Sequence, residues 1–114
     1  MAAPAIYREW HAKTERCSGR TGKFSTLKFY VVPEVETFST RDGPKVGEWL
    51  TDGAVNRIVI AGKYQAHEMV VRHELLHSLI RAEGHPPEYF VDRCRLTWES
   101  WNAPPGSVAL GHGD

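Results

Sequence analysis

The chain has 114 residues, with 14 basic and 14 acidic side chains, so its formal net charge is zero. A chain of this length accommodates a single domain. Zero net charge disfavours the binding of a polyanion such as nucleic acid through bulk charge. No apolar run is long enough for a membrane span, and no charged and apolar leader opens the chain, so we expect neither feature.

The first half of the chain predicts one helix and two strands. Residues 4–17 place apolar side chains on one helical face, after a proline that suits a helix start, and predict the first helix. Residues 24–32 alternate apolar and polar side chains and predict a strand that ends at a proline. Residues 57–62 predict a second, short strand that ends in glycine.

The second half of the chain is predicted to be helical. Residues 65–83 carry apolar side chains on several sides of the helical wheel, which indicates a largely buried helix. Gly84 is predicted to end this helix. A last helix is predicted to begin at Pro86 and to run to about Trp101, since proline is tolerated in a first turn.

The predicted fold is α+β, with a small mixed sheet, a buried helix that bears a motif, a backing helix and a C-terminal helix. Residues 34–53 are punctuated by Gly, Pro and Asp and predict no regular element, with Val46 and Trp49 as core anchors. We expect residues 1–102 to form the domain, residues 103–114 to form a flexible tail, and the protein to be a monomer.

The buried helix contains the sequence His73-Glu74-Leu75-Leu76-His77. Histidines at positions i and i+4 lie one above the other on a helix, so both imidazoles can reach one metal ion. Glu74 is offset around the helix from His73, so its carboxylate can reach a water on that metal without entering the ligand set. The pattern therefore predicts a metal site, and zinc is the metal that this spacing favours.

A catalytic zinc site needs a third protein ligand and one open position. His85 is the favoured third ligand because it follows the break at Gly84, where the chain can fold back. Glu88 and Asp92 are alternatives, either as a carboxylate ligand or as acceptors for a ligand imidazole.

The two cysteines, Cys17 and Cys94, leave two interpretations open. They are either two free buried thiols or one bridge between distant segments. A bridge would require the first and last helices to pack together behind the motif helix, and it would indicate an oxidising compartment.

The motif, with a strand and a helix before it, resembles the zincin metallopeptidases over roughly residues 5–100. The metzincin pattern is absent, because Ile80 and Glu83 stand where that pattern has Gly and His. No later methionine is present for a Met-turn. The specific part of the resemblance is therefore the motif itself.

The stretch at residues 84–90, Gly-His-Pro-Pro-Glu-Tyr-Phe, is similar to the Gly-His-x-x-x-Phe ending of SprT-like and WLM-type zincins. The combination of Trp10 with Cys17-Ser18-Gly19 also resembles small bacterial proteins that carry the motif, and this resemblance implies an exported protein. The chain differs from SprT-like proteins in lacking zinc-ribbon cysteines and a strongly basic face.

The resemblance implies that His73, His77 and His85 bind one zinc ion per chain. It also implies that Glu74 is the general base in the hydrolysis of a peptide or protein substrate. A rival interpretation is a zincin fold that binds metal or a partner without catalysis. Another is a DNA-associated protease, against which the zero net charge argues.

Zincins commonly have a second electrophile, for which Tyr89 is the first candidate and Tyr64 and Arg81 are weaker ones. The resemblance also implies that the strand at residues 57–61 forms the upper edge of the sheet. An extended peptide could then pair with that strand.

Overall fold

The computed structural model describes residues 3–53 and 55–102, so the tail predicted at residues 103–114 lies outside the described residues. No helix in this described part is long and apolar enough to cross a bilayer. The predicted α+β class is confirmed. The elements in chain order are helix α1 (Ala5–Ser18), strands β1 (Leu27–Val32), β2 (Phe38–Thr40), β3 (Gly43–Lys45), β4 (Gly47–Asp52) and β5 (Val55–Ala61), helix α2 (Glu68–Ile80), a π-helical segment (Glu88–Arg93) and helix α3 (Trp98–Asn102).

The main sheet has three strands in the order β1-β5-β4, with β1 parallel and β4 antiparallel to β5. The prediction that residues 57–61 form the sheet edge is wrong, because β5 lies in the centre. The predicted irregular segment, residues 34–53, contains β2, β3 and β4 instead, and β4 takes the edge position. Strands β2 and β3 form a separate two-stranded sheet.

The core lies between the sheet and the two long helices. Ile58 and Ile60 of β5 are fully buried, and Leu75 and Leu76 of α2 are fully buried as well. Alternation in β5 therefore gives one face to the helices, while α2 is covered on most sides, as its apolar pattern predicts. Trp49 is confirmed as a buried core residue.

Helix α2 ends earlier than predicted, because Arg81 and not Gly84 breaks it. Arg81 adopts a left-handed conformation with φ 55°. Its N–H donates to the carbonyl of His77 at 2.8 Å, and the N–H of Ala82 donates to the same carbonyl at 3.4 Å. These bonds close the helix end and turn the chain back toward α2.

The predicted last helix is interrupted. The π-helical segment ends at Arg93, and Arg95 then takes a left-handed φ of 54° before α3 begins at Trp98. The main chain of Leu96 returns to the π-helical segment, where its N–H donates to the carbonyl of Phe90 at 2.8 Å. This bend carries the main chain from residue 94 to residue 97 past the side of α2.

Cys17 and Cys94 form a disulfide, so the bridged interpretation of the two cysteines is confirmed and no described cysteine is free. The bridge links the last turn of α1 to the residue that follows the π-helical segment. Arg72, buried between α1 and α2, donates to Thr14 at 3.0 Å and to the Cys17 sulfur at 3.5 Å. The first helix and the C-terminal segment are therefore covalently linked beside α2.

Candidate metal centre

Three histidines converge at the C-terminal half of α2. His73 and His77 lie one turn apart on the helix, and His85 returns to them from the turn that follows it. One ligand atom from each residue lies within 4.8 Å of the others. The three ring centroids are separated by 4.9 to 5.0 Å. We call these three residues the histidine cluster.

Main-chain carbonyl groups orient two of the three imidazoles. Nδ1 of His73 lies 2.6 Å from the carbonyl oxygen of Leu96, and Nδ1 of His77 lies 2.8 Å from that of Ala82. A carbonyl only accepts, so each Nδ1 carries the proton and donates it. Nε2 of both rings is then left with a lone pair for a cation. The cluster therefore fits a metal ion in tautomer as well as in spacing.

Burial keeps these two imidazoles neutral. It lowers the pKa of His73 to about 3, although the bond to the Leu96 carbonyl acts in the opposite direction. It lowers the pKa of His77 to about 4, against a similar bond to Ala82. Both rings are therefore uncharged at pH 7, the form in which imidazole binds a metal.

Phe90, which is fully buried, packs under all three members of the histidine cluster. Its ring centroid lies 4.8 Å from those of His73 and His77 and 5.0 Å from that of His85. In the sequence, Phe90 appears only as the last residue of the zincin-like stretch at residues 84–90. The structure adds that it is the common support of the three candidate ligands.

A cleft of about 550 Å³ opens over the histidine cluster. Helix α2 forms its floor, which includes Glu74, and β3 and β4 form one wall. Glu74 is buried, and its carboxylate lies against β4 beside Gly47. Trp49 of β4 also lines the cleft, and its indole stacks on His77 at 6.3 Å between centroids with an interplanar angle of 9°. The predicted general base and ligands thus share one cleft.

The wall formed by β4 has an unpaired edge, since β5 is its only strand neighbour in the described part of the chain. The N–H of Ala61 donates to the carbonyl of Val46 at 2.8 Å. Antiparallel hydrogen bonding alternates along a strand, so Glu48 also bonds toward β5. The main-chain N–H and C=O groups of Gly47 and Trp49 therefore point away from β5, toward the unpaired edge of the sheet.

The alternative third ligands do not reach the histidine cluster. Glu88 is exposed and pairs with Arg93, whose Nε and Nη2 lie 3.2 and 3.1 Å from its carboxylate. Asp92 is exposed. Among the described residues, neither of these carboxylates lines the cleft or belongs to the group that could hold a metal.

The structure does not bring the candidate second electrophiles into the cleft. The hydroxyl of Tyr89 accepts a hydrogen bond from Arg20 at 3.2 Å, on the side of the molecule toward the end of α1. Tyr64 contacts the ring of Trp98 at 6.1 Å, and Arg81 donates to Asn56 at 3.4 Å. None of the three candidates is among the described residues that line the cleft.

Comparisons with protein-family models, curated proteins and solved structures found no match to this chain. The chemistry of the centre is therefore argued from its own geometry. The geometry provides three imidazoles with their ligand atoms together, a buried carboxylate beside them, and an open strand edge along the same cleft.

Proposed function

We propose that this protein is a zinc-dependent peptidase that hydrolyses peptide bonds in extended substrates. The observation that carries the proposal is the convergence of the histidine cluster with Glu74 in one cleft. This arrangement matches the roles that metal-assisted hydrolysis requires: ligands, a base and room for a substrate.

The donor set supports zinc as the metal. Three neutral imidazole nitrogens form a ligand set found in catalytic zinc sites, which leave a fourth position open. One ion per chain is expected, bound by His73, His77 and His85. When bound, zinc supplies a Lewis acid that polarises a carbonyl group and makes a water molecule more acidic.

The protein's own groups then have distinct tasks. The carbonyls of Leu96 and Ala82 hold the Nδ1 protons of His73 and His77, so that Nε2 faces the cation. The Glu74 carboxylate accepts a proton from the attacking water and afterwards donates it to the nitrogen of the leaving amine.

The edge of β4 is the proposed place for the substrate. An extended peptide gains main-chain hydrogen bonds when it adds to an unpaired strand edge. The outward main-chain groups of Gly47 and Trp49 offer a donor and an acceptor each, and Gly47 lies next to Glu74. The role of substrate-binding strand, expected for residues 57–61, therefore passes to β4.

The disulfide supports an oxidising working environment. Disulfides persist in secreted and periplasmic proteins and are rare in reducing compartments. The Cys17–Cys94 bridge thus favours an exported protein as part of this proposal.

The proposal is tested with the variant Glu74→Gln, loaded with zinc and incubated with a mixed peptide library. The amide keeps the shape of the side chain but cannot act as a base. The wild-type protein should cleave the library, whereas Glu74→Gln should keep its zinc and lose about 100-fold or more in rate. Glu88→Gln, the same change at an exposed carboxylate, is the matched control and should behave as wild type.

The outcome also separates the proposal from its rival. Wild-type protein that holds one zinc per chain but cleaves no peptide would be a metal-binding domain without catalysis. Equal cleavage by the wild type and Glu74→Gln would remove Glu74 from the base role.

A further inference from the structure

The first residue of β4 faces the buried carboxylate of Glu74. A Cβ atom built on Gly47 would lie 3.0 Å from Oε2, 3.1 Å from Cγ and 3.3 Å from Cδ of Glu74. The backbone of Gly47 does not adopt the left-handed conformation that favours glycine. Position 47 therefore has no room for a side chain, because the Glu74 carboxylate fills the space that a side chain would occupy.

We infer that Gly47 is a positioning residue that sets where the Glu74 carboxylate lies between α2 and the open edge of β4. The inference rests on the proposed function, since it concerns the base of that reaction. Glu74 is only 6% exposed, and Gly47 is one of the backbone positions against which its carboxylate packs. An added methyl group at position 47 would push the carboxylate away from the strand by a few tenths of an ångström.

The position matters because Gly47 is also where the substrate would lie. Its main-chain groups point out of the sheet, toward the edge at which an extended peptide would pair. Because Gly47 has no side chain, the Glu74 carboxylate lies in contact with the strand that would bind the substrate. Proton transfer requires hydrogen-bond distance, so a small displacement of the carboxylate slows the reaction.

The test compares Gly47→Ala with a matched control, Gly22→Ala. A Cβ atom at Gly22 would lie 3.2 Å from the Leu79 side chain, a similarly tight contact at a position that does not line the cleft, and its backbone is not left-handed either. Each variant is assayed for zinc content, for kcat and KM on a cleaved library peptide, and for the visible absorption spectrum of the Co²⁺-loaded protein.

Gly47→Ala should retain one zinc per chain and lose about tenfold or more in kcat with little change in KM, because the base is displaced while the ligands are not. Its Co²⁺ spectrum should change in the same sense as that of Glu74→Gln. Gly22→Ala should match the wild type in all three measurements. In a Glu74→Gln background, Gly47→Ala should cause no further loss of rate, since the group through which it acts is already disabled.

Three results would overturn the inference. The first is a wild-type kcat and Co²⁺ spectrum in Gly47→Ala, and the second is a full additional loss of rate in the double variant. The third concerns folding: if Gly47→Ala lowers the melting temperature, then adding Glu74→Asp should restore it, because the shorter side chain withdraws from the methyl group. Absence of that restoration places the strain elsewhere. If the wild-type protein cleaves nothing, the proposed function fails, and the spectra alone decide the role of Gly47.

Discussion

At the scale of single residues, the candidate centre includes groups that lie outside the His73–His77 motif. The carbonyls of Leu96 and Ala82 select the tautomers of the two helical candidate ligands, and Phe90 packs against all three imidazoles. A main-chain carbonyl exists at every residue, so sequence alone gives no signal for the two that matter. Their positions follow from the left-handed turns at Arg81 and Arg95.

The identity of the third ligand is tested by His85→Ala. With two imidazoles left, zinc affinity should fall enough for the metal to be lost on dialysis, because tetrahedral zinc sites use at least three protein ligands. Zinc per chain, measured by elemental analysis after dialysis, should drop from about one to near zero. Glu88→Ala, which removes the carboxylate that the sequence offers as an alternative ligand, should keep its zinc. Full zinc occupancy in His85→Ala would refute the ligand set.

Phe90→Ala should weaken both the fold and the metal site. Truncation of a buried phenylalanine costs about 3–5 kcal/mol of unfolding free energy. The three imidazoles would also lose their shared support, so the dissociation constant for zinc should rise even in folded protein. Phe29→Ala, at a buried position in β1, is the control, with a similar loss of stability but an unchanged zinc affinity. Equal zinc affinity in the two variants would show that Phe90 is a core residue only.

At the scale of elements, the sequence predicted the parts with a strong apolar pattern and missed the weak ones. Helix α1 and strand β1 were predicted because their apolar residues repeat at helical or strand spacing. Helix α2 was predicted from apolar residues on several sides of the helical wheel, and β5 from a short continuous apolar run. Strand β4 has only two adjacent apolar residues, Trp49 and Leu50, and it starts with a glycine, so no alternation marks it as a strand. Gly47 reads as a turn residue in the sequence, whereas in the fold the space beside it is taken by Glu74.

The disulfide links α1 to the segment whose Leu96 carbonyl accepts a hydrogen bond from His73. Cys94 lies two residues before Leu96, whose carbonyl orients the imidazole, and Cys17 lies in the last turn of α1. The chain closed by the bridge spans 77 residues. For a loop of this length, chain entropy corresponds to about 4 kcal/mol of stability.

Reduction of this disulfide should therefore lower the melting temperature and weaken zinc binding together. The reason is that the segment carrying the Leu96 carbonyl would then be held by non-covalent contacts alone. A thermal melt measures the stability, and a competition titration with a zinc-binding dye measures the zinc affinity. Both are carried out with and without a phosphine reductant, which contains no thiol. The double variant Cys17→Ser with Cys94→Ser, measured without reductant, should reproduce both effects. Zinc affinity that is unchanged by reduction would separate the bridge from the metal site.

At the scale of the whole molecule, the fold class could be predicted because a chain of 114 residues with two strong helices and two strong strands has few ways to bury them. The candidate ligands His73 and His77 and the proposed base Glu74 were predictable for a related reason, since their arrangement is local to one helix. The strand order was not predictable, because it depends on β4. This strand pairs with the central strand β5 through backbone groups, which leave no pattern of side chains in the sequence. The position of the strand edge proposed to bind substrate depends on that order.

Removal of the metal should destabilise the whole molecule, because the histidine cluster draws ligands from α2 and from the turn beyond it. A ligand that binds only the folded state adds about 4 kcal/mol when its free concentration is about 1,000 times its dissociation constant. For a domain of about 100 residues, each 1 kcal/mol corresponds to a shift of roughly 4–8 °C in melting temperature. Zinc-loaded protein should therefore melt well above chelated protein, and added zinc should restore the difference. His85→Ala should show little or no shift, and a chelator that leaves the wild-type melt unchanged would contradict a bound metal.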